Sequence, residues 1–87
     1  MNAPETFICT ITNDERSFSQ DMELPSGMPV SELCRQILMI LRELYEDIFS
    51  GWRSCCLESG GRLLNGEDTL AGAGVFDGSL ISVREVK

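Results

Sequence analysis

Four cysteines, Cys9, Cys34, Cys55 and Cys56, are the residues whose type could carry chemistry. Thiols bind soft metals, pair as disulfides or act as nucleophiles. Their spacing here supports none of these roles. No Cys-x-x-Cys pair and no ferredoxin spacing occurs, and a chain without histidine cannot complete a mixed Cys/His zinc site. Cys55 and Cys56 are adjacent, so on a strand they point to opposite faces and do not readily reach one metal. A cysteine nucleophile would also lack its usual imidazole base. Cys9, Cys34 and one of the Cys55–Cys56 pair therefore read as small core residues, kept reduced in a cytosol. The acidic pairs Asp14-Glu15 and Glu67-Asp68 fall in turn-forming segments, where solvated charge is the default. The expectation is a protein that is not an enzyme, with no catalytic, cofactor-binding or metal site.

The 87 residues give room for one domain and one core, expected to span 1–87 with an ordered part of about 6–86. Apolar residues at 43% and charged residues at 24% suit a globular domain and not a disordered one. The longest apolar run, Ile37 to Leu41, is far short of the roughly 20 residues that span a bilayer. The opening Met1-Asn2-Ala3-Pro4-Glu5 has no basic segment of a secretory leader, so a cytoplasmic location is expected. Net charge is −7, from 14 acidic and 7 basic residues. That balance argues against nucleic acid and against an anionic membrane surface, both of which need clustered Lys and Arg. It favours a basic or neutral protein partner, or serves solubility alone.

A surface of that kind has to be positioned by regular elements. Phe7, Cys9 and Ile11 alternate with Thr10 and Thr12, the pattern of a strand with one buried face. After polar Asn13–Arg16, Ser17 to Leu24 alternates again with Phe18, Met22 and Leu24 on one face, interrupted by Gln20. The two form a hairpin that Pro25 ends. Pro29 suits the first turn of a helix. From there Val30, Leu33, Ile37, Leu41, Leu44 and Ile48 recur at the helical period as one core-facing stripe, with Gly51 as its C-cap. A helix near 20 residues is long for so small a domain, so its last turn is expected to fray or form a separate turn. Trp52 to Glu58 returns to strand alternation, with Cys55 and Leu57 on one face. Ser59-Gly60-Gly61 turns into a short strand, Arg62-Leu63-Leu64. Asn65-Gly66 and Asp77-Gly78 are turns, Ala71–Gly74 is loop, and Ser79 to Val86 is the last strand with Ile81 and Val83 inward. The order is β-β-α-β-β-β in an α+β fold, a mixed sheet packed on one long helix.

That order, with the segments Gly66-Glu67-Asp68-Thr69-Leu70 and Gly74-Val75-Phe76-Asp77-Gly78-Ser79-Leu80-Ile81, resembles the ubiquitin-like β-grasp superfold. Leu70 and Val75 would plug the open end of the sheet, and Gly78 would supply the positive φ of the turn into the last strand. Within the superfold, Pro29-Val30-x-x-Leu33, Trp52 and this tail make the chain similar to the YukD/EsaB family of small bacterial ubiquitin-like proteins. That family is encoded with type VII (ESX-like, WXG-protein) secretion systems of Gram-positive bacteria. The resemblance implies a non-conjugating, non-catalytic interaction module. It implies a cytosolic accessory or regulatory role with a secretion ATPase or membrane component as partner, and no cofactor. The alternative is a sulfur carrier or tag-like β-grasp protein. Such proteins need a flexible C-terminal Gly-Gly, whereas this sequence ends Arg84-Glu85-Val86-Lys87.

Candidate binding residues follow from the same patterns. Ile8 and Leu80 fall on the outward faces of two central strands if Cys9 and Ile81 point inward, and Trp52 is a further outward candidate. Leu38, Tyr45 and Phe49 lie seven and four residues apart on one flank of the helix, with Met39 opposite the core stripe. The flank reads either as a binding patch or as a wider core that Tyr45 and Phe49 close. Several exposed apolar residues together would mark an interaction site, and a symmetric homodimer through one such patch is a further alternative.

Overall fold

The computed structural model describes residues 5–86. Met1–Pro4 and Lys87, on which the leader and C-terminal readings fall, lie outside them. Strand β1 (Thr6–Asn13) buries Phe7, Cys9 and Ile11 and leaves Thr6 and Ile8 exposed, as its alternation dictates. It pairs antiparallel with β2 (Ser19–Pro25), Cys9 opposite Met22 and Phe7 opposite Leu24. The turn between them is built by Asn13, whose Oδ1 accepts from the Ser17 N–H at 2.9 Å. β2 begins two residues later than its pattern suggests. Phe18 is nonetheless buried, and its carbonyl accepts from the Thr12 hydroxyl at 2.7 Å. Gln20 holds an inward position because its Oε1 accepts from the Tyr45 hydroxyl at 3.1 Å.

Helix α1 (Val30–Leu44) packs Val30, Leu33, Ile37, Leu38 and Leu41 onto the sheet. Pro29 stands at its N-cap and not in its first turn. No side chain caps it, and the first amides are satisfied by the distant segment 66–68, Val30 N–H to Asp68 O at 2.7 Å and Ser31 N–H to Gly66 O at 3.0 Å. That segment comes so close that a Cβ on Gly66 would stand 3.3 Å from Ser31 Cβ. The helical stripe divides in two, its end forming a separate turn as its length leads one to expect. Tyr45 leaves helical geometry at φ −135°, ψ 58°, and a one-turn helix α2 (Glu46–Phe49) follows. Leu44, the last residue of α1, stands 56% exposed, and the segment after the break turns Phe49 into the core. Phe49 meets Phe18 and Trp52 edge-on at 5.2 and 4.8 Å between ring centroids, and Tyr45 leans on Phe18 at 4.9 Å. The residue capping α2 is Ser50, and Gly51 does not take a left-handed conformation.

Strand β3 (Cys55–Ser59) starts three residues later than expected, after Trp52 has joined the aromatic cluster. Gly60 and Gly61, at φ 60° and 81°, turn it into the two-residue β4 (Arg62–Leu63). Strand β5 (Leu80–Glu85) runs through the middle, parallel to β1 and antiparallel to β3, so the mixed sheet is ordered β2-β1-β5-β3-β4. Leu70 and Val75 are buried, with the Val75 N–H donating to Leu70 O, and close one end of the core. Gly78 has φ 90°, the turn conformation its place before β5 requires. The architecture is the ubiquitin-like β-grasp, with Cys9 and Cys55 inside and Cys34 and Cys56 half-buried.

Candidate protein-binding face

One face of the sheet receives α1, and the other carries no element among the described residues. Strand parity decides what the open face displays. Register places Ile8 opposite Glu23, Thr10 between Asp21 and Leu80, and Ser82 between Thr12 and Glu58. Ile8 and Leu80 are therefore diagonal neighbours on adjacent strands, 51% and 49% exposed. The turn before β5 adds Phe76, the most exposed large apolar residue at 66%. Phe76 and Leu80 border one open groove of about 610 Å³ with Thr12, Asp14, Glu58 and Ser82. Isolated exposed apolar residues are ordinary on a small protein. A set on one face, rimmed by charge, is the pattern of a contact surface.

The rim is acidic and held in place. Arg84 lies between two carboxylates, 3.1 Å from Asp14 and 3.1 Å from Glu58. Asp77 accepts from the Ile8 N–H at 2.7 Å, and Asp21 from the Thr10 hydroxyl at 2.8 Å. The Gly78 N–H donates to Ile8 O at 2.8 Å, so the turn carrying Phe76 is fastened to the strand carrying Ile8. Exposed pairs of this kind add little stability, but they fix the field a partner meets. That field is negative and suits a surface with Lys or Arg around an apolar contact.

The structure thus brings together two of the six sequence candidates, Ile8 and Leu80. The helix flank is not a surface. Leu38 and Phe49 are buried, and Tyr45 and Trp52 are half-buried against Phe18 and Phe49. Leu38 is buried from within α1 itself, and the break at Tyr45 turns the segment after it so that Phe49 meets Phe18 and Trp52. The wider-core alternative describes that flank. Met39 is exposed on the far side of the helix as expected, joined by Ile40 and Leu44. Phe76 is the residue that sequence reasoning misses. Its neighbours Val75 and Asp77 read as plug and turn, and an aromatic residue between them with no buried parity of its own is the available signal. Among the described residues no group of three or more His, Cys, Asp or Glu is placed to hold a metal ion. No helix there is long and apolar enough to cross a membrane.

The sequence from residue 8 to 83 matches the family model described as WXG100 protein secretion system (Wss), protein YukD. No curated protein sequence matches the chain. Among solved structures it is similar to the ubiquitin-like domain of the Mycobacterium tuberculosis type VII secretion system protein EccD1. The two share 26% identity over 90% of this chain and 96% of that one, with a TM-score of 0.70. It shares the fold of the EccD5 ubiquitin-like domain from Mycobacterium xenopi, at 15% identity, 97% and 98% coverage and a TM-score of 0.79. It also shares the fold of part of a chain of the MycP5-free ESX-5 inner membrane complex. That match has 18% identity and a TM-score of 0.78 over 95% of this chain and 21% of that one.

Proposed function

The chain belongs to the YukD family of the WXG100 protein secretion system, and on that premise we propose that it is a non-catalytic, non-conjugating interaction module. It acts on the cytoplasmic side as an accessory or regulatory factor of the secretion machine. Its partner is a protein component of that machine, a secretion ATPase or a membrane component, met through a basic surface with an apolar centre. The observation that carries this reading is the open sheet face, where Ile8, Phe76 and Leu80 stand inside an acidic rim. The occurrence of a like-folded domain within a chain of an inner membrane secretion complex supports the partner class. Capture of the tagged protein from its own cells, with mass spectrometry of what is retained, tests it. Secretion ATPase or membrane components are expected, and their loss from an Ile8→Asp/Leu80→Asp double variant. Recovery of an adenylating enzyme or of covalent adducts would overturn the reading in favour of carrier chemistry.

A further inference from the structure

The face of α1 toward β3 leaves a cleft of about 270 Å³, and three of the four cysteines line it: Cys34, Cys55 and Cys56. Cys34 stands on α1 and Cys55 opens β3, 21 positions later, with Leu38 and Leu64 as apolar neighbours and Arg35 and Arg53 in the same lining. The Cys55 thiol donates to the Cys34 carbonyl oxygen at 3.4 Å, and the two thiols are hydrogen-bonded to one another. Both are free thiols. This arrangement is more than buried cysteine packing. A core that needed only volume would not bring two thiols from different elements against one another beside an opening lined by two guanidinium groups.

We propose that Cys34 and Cys55 form a peroxide-reactive dithiol site, in which Cys34 is oxidised by a hydroperoxide and Cys55 closes a disulfide onto it. The Cys34 thiolate attacks the peroxide oxygen, the O–O bond breaks, and Cys34–S–OH forms with release of hydroxide (or an alkoxide). The Cys55 thiol then displaces the sulfenic hydroxyl as water, giving Cys34–S–S–Cys55. Two thiols lose two electrons and two protons overall, and the peroxide takes both. The order of events follows from burial. Both line the cleft, but Cys34 is half-buried whereas Cys55 is buried. The Cys55 hydrogen bond holds the Cys34 pKa below the ordinary thiol value against the opposing effect of burial. The same hydrogen bond first, and then burial, push Cys55 far up. The more exposed sulfur is thus the one that forms a thiolate more readily, and the thiolate is the species that reacts.

The test is controlled treatment of the full chain with hydrogen peroxide, alkylation of remaining thiols, and peptide mapping without reductant. The first product expected is one intramolecular link, Cys34 to Cys55, with Cys9 and Cys56 still alkylated. Reduction should reverse it, and the linked form should melt several degrees higher because a loop is closed across α2. In Cys55→Ser the sulfenic acid should persist on Cys34 and be trapped by dimedone, a readout that needs no assumption about Cys34 variants. First oxidation at Cys9 or Cys56, a Cys56-linked dimer as the initial product, or four thiols alkylated equally after treatment would each overturn the assignment.

Discussion

The Tyr45 hydroxyl donates to the Gln20 carboxamide oxygen across 3.1 Å, joining the residue at which α1 breaks to the one inward position of β2 that is not apolar. One contact thus accounts for two irregularities. It pairs the carboxamide oxygen of half-buried Gln20, and it holds Tyr45 where its ring reaches Phe18. The segment after Tyr45 then delivers Phe49 to the core. Phe49→Ala removes a fully buried ring at the centre of the aromatic cluster and is expected to destabilise the domain by about 3–5 kcal/mol. Denaturant unfolding measures it. Leu80→Asp, on the open face, is expected to stay within about 0.5 kcal/mol of the parent. The pair separates core from surface, since the sequence offers both as candidate binding positions.

Gly78 supports the turn that presents Phe76, through its φ of 90° and the bond from its N–H to Ile8 O. Gly78→Ala puts a Cβ on a backbone that L residues rarely adopt, and a loss of about 1–2 kcal/mol is expected. Gly27 has no positive φ and only open space where an added methyl group would stand. It should tolerate alanine with little change in the same melting experiment.

Alkaline pH should weaken the fold. Burial first, then the Asp77 charge, push the Cys9 thiol up; burial first, then Cys34, push Cys56 up; Cys55 is raised as well. A group whose folded pKa is raised contributes stability that is complete below its unfolded value and is lost as pH rises toward the folded one. Stability should therefore fall as pH climbs past about 8.5, the unfolded thiol range. Cys34, which is lowered, works in the opposite sense and offsets part of the fall. Urea midpoints measured across that range check the sign, and Cys9→Ala should flatten the decline.

The acidic rim makes binding sensitive to salt. With Asp14, Glu58, Asp21 and Asp77 around the apolar residues, capture of a basic partner should weaken as ionic strength shortens the Debye length from about 10 Å at 0.1 M to about 3 Å at 1 M. Arg84→Ala should change stability little, because Arg84 and Asp14 are exposed and only Glu58 is partly buried. It should also strengthen capture of a basic partner by removing a like charge from the face.

Strand parity and the helix stripe are legible in the sequence because each element is covered on one side only. Phe7, Cys9 and Ile11 alternate, and Val30, Leu33, Ile37 and Leu41 recur, for that reason alone. Ile8 and Leu80 can be placed outward from the same parity. The length of the stripe foretells a separate last turn, but the place of the break at Tyr45 is hidden, since Leu41, Leu44 and Ile48 continue the helical spacing across it. What ends α1 is contact with Phe18 and Gln20, residues some 25 positions earlier. Phe76 is hidden for a similar reason. Only the register of β1 against β5 and the fastening of the turn to Ile8 set it beside Leu80. The cleft thiols escape notice because Cys34 and Cys55 share no motif spacing and meet only when α1 lies on β3.

Contact with the secretion machine through the open sheet face can be tested in the protein's own cells. A photoreactive benzoylphenylalanine is placed at position 80, and separately at position 39 on the far side of α1. An ultraviolet-dependent adduct with a secretion ATPase or membrane component is expected from position 80 and none from position 39. Adducts with that component from position 39, or their absence from position 80 while the component is still captured, would refute the assignment of the face.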